Sequence, residues 1–253
     1  MGVLRLTSNC YAVTGLGYAP PWCVNAGFVS GREATLIVDT GGNALAAATI
    51  YGYATAVRTS NRLIVMNTEK HFDHIGGNST FAQHTGVEVW GHPGIARTEA
   101  EFEAEIEELN ATIPNAARRE RKEARVFFGG TKLTNPTKHF KPGAAFDLGG
   151  CLAEIHFTPG HTATNVSVWI PEDRVLYAGD CLINGYLANL DASGPGGWLT
   201  WLDSIEIIEQ LDPKFVVCGH GPVARDGDVT RIIKTVRRTL EAAIESGKSP
   251  TAG

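Results

Sequence analysis

Residues 69–78 contain the densest group of side chains in this sequence that could bind divalent cations. The segment reads Glu-Lys-His-Phe-Asp-His-Ile-Gly-Gly-Asn. Glu69, His71, Asp73 and His74 supply two imidazoles and two carboxylates, which are good ligands for divalent cations. In a locally extended chain His71 and Asp73 would share one face and His74 would point the other way. One loop could therefore supply ligands to two separate metal ions.

Three further candidate ligands occur later in the chain, at His161, Asp180 and His220. Each comes after an apolar run that we predict to be a strand, and each directly follows a glycine. A single histidine after a strand is as often a structural residue as a ligand. Loops at strand ends, however, are where a rigid scaffold carries functional side chains. Four such segments in one chain favour a shared metal site.

Short strands alternate with helices along most of the chain and would position these segments. The hydrophobic pattern predicts a hairpin at residues 28–38, a helix at 44–57 and a buried strand at 63–67. In the second half, strands are predicted at 153–157, 166–170, 175–178 and 215–218, and apolar stripes indicate helices at 201–211 and 229–244. Two similar halves, each closed by helix, favour a four-layer α/β (α+β) sandwich over a single wound sheet, although strand patterning alone leaves both open.

Residues 97–142 differ in character from the rest, and we predict them to be a helical insertion within a single domain spanning 1–253. Thr98 and Glu101 form a capping-box pattern ahead of an acidic helix with one apolar stripe. Pro114 ends that helix, and a basic segment follows at 118–125. The insertion is either an amphipathic helical pair with solvated faces or a lid over an active site.

Composition narrows the classes of partner. The chain has 253 residues with 22 Lys and Arg against 27 Asp and Glu, a net charge of −5, so nucleic acid is not expected as a partner. No apolar run is long enough for a membrane span. The five cysteines are odd in number and scattered, which favours a reducing compartment over a disulfide framework. We expect a cytoplasmic protein, or a periplasmic one if a signal peptide was removed, acting on a small molecule and open to homodimer formation through residues 98–125.

The order of the candidate ligands resembles the signature of the metallo-β-lactamase superfamily. That signature is His-x-His-x-Asp-His, followed by a His, an Asp and a His in later loops, and the similarity extends over about residues 24–222. Asp39 also resembles the family's early strand-end aspartate. The resemblance implies an αββα sandwich in which residue 69, His71 and His161 bind one metal. Asp73, His74 and His220 would then bind a second metal, with Asp180 as a bridge.

Glu69 departs from this pattern, because the family has histidine there. Glu69 as a ligand would bring the ligand charge to −3 rather than −2, against +4 for two divalent ions. We predict two divalent metal ions, zinc first, with iron or manganese favoured modestly by the harder oxygen ligand. The alternative is that Glu69 binds no metal and pairs with Lys70 or another surface charge.

The resemblance implies a hydrolase in which a metal-bound hydroxide attacks a carbonyl group of a lactone, β-lactam, ester or thioester. Asp73 and Asp180 would orient the nucleophile or transfer its proton, and Tyr186 could donate its hydroxyl to the oxyanion. The candidate pocket residues are Trp22, Phe72 and Asn184.

Other functions stay open at this point. A β-lactamase proper is disfavoured because no lysine–asparagine carboxylate clamp is evident. An iron-dependent sulfur dioxygenase on the same fold and a non-enzymatic binding protein are further alternatives. A serine hydrolase has no support, because the sequence lacks a Gly-x-Ser-x-Gly elbow. Cys181 could be a soft ligand or a thiol nucleophile, although a buried structural role is the simpler interpretation.

Overall fold

The computed structural model describes residues 2–17, 23–59, 61–112 and 131–250. Its strands join into a 13-stranded sheet with the order β7-β6-β5-β4-β3-β12-β11-β10-β9-β8; β2 pairs with β1 and β3, and β13 pairs with β12. The strands are β1 Gly2–Arg5, β2 Cys10–Leu16, β3 Val24–Ser30, β4 Ala34–Val38, β5 Arg62–Met66, β6 Glu88–Gly91, β7 Lys138–His139, β8 Ala145–Asp147, β9 Leu152–Phe157, β10 Val166–Ile170, β11 Val175–Ile183, β12 Phe215–His220 and β13 Ala224–Arg225.

The six α-helices within the described residues cover the outer faces of this sheet and the end where the candidate ligands lie. They are α1 Ala44–Val57, α2 Phe72–Ile75, α3 Asn78–Phe81, α4 Glu99–Thr112, α5 Pro195–Leu211 and α6 Gly227–Ser246. The predicted helix at 44–57 has the bounds of α1, and its N-terminus is capped by Asn43, whose side chain accepts from the Ala46 N–H at 2.8 Å.

The sheet is divided into two halves that face each other across an apolar core. The halves meet where β3 and β12 pair through Val24 and His220. Leu36 of β4 and Tyr177 of β11 both lie in the core between the halves. Adjacent residues point outward, because side chains alternate along a strand. Ile37 accordingly packs with α1, and Leu176 packs with α5 and α6. The order helix, sheet, sheet, helix confirms the predicted αββα sandwich.

The alternation explains why the central strands read as continuous apolar runs. Strands β4, β10 and β11 are buried along their whole lengths. One face of each strand packs against the other half-sheet, and the opposite face packs against a helix or the candidate ligand residues. The apolar stripes of α5 and α6 face β11 and β12, with Trp198 and Trp201 fully enclosed in that layer. Both tryptophans are core residues.

Residues 97–142 contain α4 at one end and β7 at the other. The capping box forms as predicted: the Thr98 N–H donates to Glu101 Oε2 at 2.8 Å, and the Glu101 N–H donates to Thr98 Oγ1 at 3.3 Å. Strand β7 pairs with β6, so this end of the range belongs to the sheet. The predicted basic segment at 118–125 lies outside the described residues. No helix in the described part of the chain combines the length and apolarity needed to cross a membrane.

Candidate metal centre

All seven residues predicted as metal ligands lie at one end of the sandwich, where the two half-sheets meet. Their ligand atoms fall into three overlapping groups, each with all atoms within 4.8 Å of one another. The groups are Glu69–His71–His161, Asp73–His74–His220 and Glu69–His74–Asp180. The first two match the division into two sites that the sequence resemblance implied.

The first group joins the loop after β5 to the loop after β9. Glu69 is fully buried, and its Oε1 lies 2.7 Å from His71 Nδ1. His161 Nε2 lies 3.2 Å from the same His71 nitrogen, and His161 Nδ1 is 3.2 Å from the Asn189 carbonyl oxygen. The second carboxylate oxygen of Glu69 accepts from the Lys70 backbone N–H at 3.1 Å, so Oε1 is the oxygen directed at the imidazoles.

The second group joins the same loop to the end of β12. His220 Nε2 lies 3.3 Å from Asp73 Oδ2, and His74 Nε2 lies 3.9 Å from Asp73 Oδ1. Asp73 and His74 both lie in α2, a single helical turn closed by a 2.6 Å hydrogen bond from the Gly76 N–H to the Phe72 carbonyl. The prediction of a locally extended chain here was wrong, because the backbone turns at residue 72. As a result, Asp73 and His74 contribute to the same ligand group and His71 contributes to the other, contrary to the predicted pairing of His71 with Asp73 on one face.

Asp180 lies between the two groups. Its Oδ1 is 3.3 Å from His74 Nε2, and its Oδ2 is 3.4 Å from the Nε2 atoms of both His161 and His220. The sequence placed Asp180 in a loop after a strand that ends at 178, but β11 continues to Ile183. The pairing of β11 with β12 is irregular around Gly179, and this bulge turns Asp180 toward the centre.

Two glycines create the space that Asp180 occupies. Gly179 has a φ of +53°, and a Cβ there would lie 2.6 Å from Thr68 Oγ1. Gly219 precedes His220, and a Cβ there would lie 1.8 Å from Asp180 Oδ1. The glycine before each of these ligands is therefore required by close packing inside the centre.

Asp39 is a functional residue that the sequence-based ligand set did not include. It follows β4 with a φ of +64° and is buried beneath the metal loop. Its Oδ2 lies 2.9 Å from His74 Nδ1, and its two oxygens accept from the N–H and hydroxyl of Thr68, each at 2.7 Å. A carboxylate on Nδ1 fixes the ring and leaves Nε2 facing the centre, as is usual for metal-binding histidines. The strand-end Asp-Thr-Gly at 39–41 was the available sequence clue.

The buried carboxylates are in the charge state that suits cation binding, whereas three of the four imidazoles would first lose a proton. Burial raises the pKa of Glu69, but the imidazoles of His71 and His74 lower it more, to about 2. Burial likewise opposes ionisation of Asp180, yet His220 and His74 hold its pKa well below the ordinary value. Burial lowers the pKa of His161, which favours the neutral imidazole with a free lone pair. Burial opposes protonation of the other three imidazoles, yet Glu69 raises the pKa of His71 to about 9, Asp39 raises that of His74 well above its ordinary value, and Asp180 does the same for His220. Because ionised carboxylates and neutral imidazoles are the forms that bind metals, a cation would displace a proton from each of these three rings.

Two buried atoms are placed to bind a cation directly. His74 Nε2 and Asp180 Oδ1 are inaccessible to solvent and have no hydrogen-bond partner among the described residues. A buried polar atom without a partner costs free energy, so such atoms are rare in native proteins. A divalent cation between them would satisfy both, and the surrounding carboxylates and imidazoles are the donors such ions prefer. The residues present therefore fit a metal centre.

A cavity of about 450 Å³ opens onto this centre. Phe72 and Tyr186, both predicted near the reaction, line it, and Tyr186 is 42% exposed. Asn184 does not line the cavity: its side-chain amide donates to the Pro222 carbonyl at 2.8 Å, and its role is to hold the loop after β12. Trp22, the remaining predicted pocket residue, lies outside the described residues. The sequence did not indicate the carboxylates that α4 contributes to the wall.

Cys181 does not face the centre. Its side chain is fully buried in the core between β11, α5 and α6, and burial raises the pKa of its thiol to about 12. A neutral thiol in an apolar layer is neither a ligand nor a nucleophile here. All five cysteines are free, as the sequence indicated.

An αββα sandwich with carboxylates and imidazoles converging at one edge defines a class of metal-dependent enzymes. Residues 19–220 match the family described as the metallo-beta-lactamase superfamily, and the chain belongs to this family.

Curated relatives with similar sequences include hydrolases. Hydroxyacylglutathione hydrolase GloC of Haemophilus influenzae is 27% identical over 68% of this chain and 74% of its own length. The protein named probable metallo-hydrolase YqgX of Bacillus subtilis is 27% identical over 80% of this chain and 87% of its own. A hydroxyacylglutathione hydrolase of Rhodospirillum rubrum is 27% identical, but the match spans 47% of its length. Family and names together indicate a metallohydrolase.

Solved structures share the fold. A metallo-beta-lactamase from Pontibacter korlensis has a TM-score of 0.69 and 21% identity, covering 95% of this chain and 98% of its own. The metallo-beta-lactamase DIM-1 has a TM-score of 0.65 and 16% identity, covering 96% and 97%. At sequence identities of 21% and 16%, these similarities show a shared fold and nothing further.

Proposed function

We propose that this chain is a metal-dependent hydrolase that holds two divalent cations and cleaves a carbonyl substrate, with thioesters and esters as the first candidates. The observation that carries the proposal is the convergence of four imidazoles and three carboxylates in one centre, five of which line the same cavity. The relatives named hydroxyacylglutathione hydrolases support a thioester, while lactones and β-lactams remain within the same chemistry. Zinc is the first expectation for the metal.

The residues divide into two roles. Glu69, His71 and His161 would hold one cation, and Asp73, His74 and His220 the other, with Asp180 in contact with both. Two divalent cations, when bound, supply a water of lowered pKa and a Lewis acid for the substrate carbonyl. Asp39 orients the His74 imidazole for this purpose.

Proton transfer falls to the carboxylates that border the cavity. Asp73 and Asp180 line it, so either can accept a proton from the attacking water and release it to the leaving group. Tyr186 lines the same cavity, and its hydroxyl could donate to the oxygen that gains negative charge. Phe72 and Ile183 exclude water on the side away from solvent.

Metal analysis combined with a substrate panel tests the proposal. The purified protein is expected to contain about two divalent ions per chain and to hydrolyse at least one of nitrocefin, a homoserine lactone, p-nitrophenyl acetate and a glutathione thioester. Chelation should abolish turnover and added metal should restore it. Turnover confined to a persulfide in the presence of oxygen would replace the hydrolase with a sulfur dioxygenase. Protein that binds no Zn, Mn or Fe would end the proposal.

A further inference from the structure

The wall of the cavity opposite the sheet is made by α4, and it is held firmly against the metal loop. Phe102 of α4 packs with Phe72 and Ile75 of the metal loop in a small buried cluster. The Arg97 guanidinium donates to the Lys70 carbonyl at 3.2 Å and forms an ion pair with Glu105. This side of the pocket is therefore a fixed part of the substrate's surroundings.

The charge of this wall is negative. Glu105 and Glu108 of α4 line the cavity, and no lysine or arginine of the described residues does. Arg97 does not line the cavity, but its ion pair with Glu105 offsets the negative charge of that residue. Glu108 is exposed and forms no ion pair with another described residue, so its charge faces whatever enters. The apolar side chains of Ile183 and Leu187 make up another part of the lining.

A metal centre held by these residues would offer little positive charge to an anion. Glu69, Asp73 and Asp180 bring three negative charges against four positive charges on two divalent cations. A neutral ligand at residue 69 would leave a balance of +2, whereas Glu69 reduces it to +1. An anionic group on the substrate would therefore be attracted less strongly by the cations and would be repelled by the glutamates of α4.

We propose that this cavity selects acyl substrates whose leaving group is uncharged or cationic and disfavours anionic ones, glutathione thioesters included. The inference rests on the hydrolase proposed above and specifies its substrate class. A glutathione thioester carries two carboxylates and one ammonium group, so its net charge is negative at neutral pH. The exposed carboxylate of Glu108, which lines the cavity, is the group that we assign to this selection.

Three acetyl thioesters that differ only in their thiol provide the first measurement. Acetyl thioesters of N-acetylcysteamine, thiocholine and 3-mercaptopropionate are neutral, cationic and anionic in turn. We expect kcat/KM to be highest for the cationic or neutral compound and at least about fivefold lower for the anionic one, at low ionic strength. The difference should shrink in high salt, where charges are screened.

Two lysine substitutions on the same helix separate a local effect from a change in net charge. Glu108→Lys should raise the anionic-to-cationic ratio of kcat/KM by about tenfold, because a unit charge about 8 Å from the substrate changes binding roughly twofold to thirtyfold. Glu107→Lys makes the same change in total charge at an exposed residue that does not line the cavity, so its ratio should move less than about threefold. Glu108→Gln should give an intermediate ratio.

The possible results distinguish this inference from the proposed function. If the wild-type enzyme hydrolyses none of the three thioesters and no compound of the panel, the hydrolase proposal fails. If it hydrolyses the anionic thioester as fast as the others, or if Glu108→Lys and Glu107→Lys shift the ratio equally, only the charge selection is overturned. Thermal melting of each variant establishes that the fold is retained.

Discussion

Replacing Glu69 with glutamine tests whether this carboxylate is a metal ligand. One oxygen of Glu69 already accepts from the Lys70 backbone N–H, and the other faces His71 Nδ1 at 2.7 Å. A glutamine of the same shape would keep its carbonyl oxygen on that N–H. Its amide NH2 group would then point at the imidazoles, and an NH2 group cannot bind a cation. The substitution therefore removes one ligand and one negative charge without changing the side-chain volume.

The expected loss of metal affinity follows from the position of Glu69 in direct contact with the ligand group. Removing an outer hydrogen-bond partner of a metal ligand typically costs 10- to 100-fold in affinity, so losing a direct ligand should cost at least about 100-fold. At about 1.4 kcal/mol per factor of ten, this is about 2.8 kcal/mol or more. Glu69→His should instead keep two ions and favour zinc over manganese at least about tenfold more than the wild type does, because imidazole suits zinc better than it suits manganese.

Metal content after dialysis and competition with a chromophoric chelator measure both quantities. The wild-type protein and Glu69→His should retain about two ions per chain, and Glu69→Gln about one. Glu108→Gln is the matched control, since it makes the same carboxylate-to-amide change at a cavity residue that lies outside the three ligand groups. Two tightly held ions in Glu69→Gln, with affinities within about threefold of the wild type, would refute the assignment of Glu69 as a ligand.

Three further predictions concern the support of the centre. Asp39→Asn should weaken metal binding about 10- to 100-fold, measured by chelator competition, because it removes the carboxylate that orients His74; unchanged affinity would contradict this role. Gly219→Ala should lower kcat at least about 100-fold, because its Cβ would lie 1.8 Å from Asp180 Oδ1; near-normal kcat would show that the loop adapts. Chelation should lower Tm by about 10 °C in thermal melts, as expected for ions present at about 1,000 times their Kd, and an unchanged Tm would argue against tight binding.

The layers of the fold could be predicted from the sequence because they depend on local patterns. The Ala-rich run at 44–57 and the apolar stretch at 166–170 have the bounds of α1 and β10. Burial on both faces makes the inner strands uniformly apolar, and the amphipathic stripes of α5 and α6 indicate the covering layers.

Features of the site that depend on distant contacts could not be predicted in the same way. The continuation of β11 through Asp180 requires β12 as a neighbour. The helical turn at 72–75 requires close packing of Gly76 against the Gly42 carbonyl. Asn184 was predicted to line the pocket because it follows Asp180 closely in the sequence. Its side chain instead donates to the Pro222 carbonyl, 38 residues away. No local pattern specifies such a partner.

The candidate site divides into two parts that differ in how they are built. The metal-binding part comes from strand ends and short loops of both half-sheets, where glycines such as Gly219 leave space for carboxylates in contact with imidazoles. A change in any of these residues disturbs several others, so this part is tightly constrained. The wall from α4 instead touches the centre through one side of a helix, with Glu108 exposed. Substitutions there can alter the charge that a substrate meets while the ligand groups stay intact. Substrate preference in this chain should therefore follow the residues of α4 more closely than those of the metal loop.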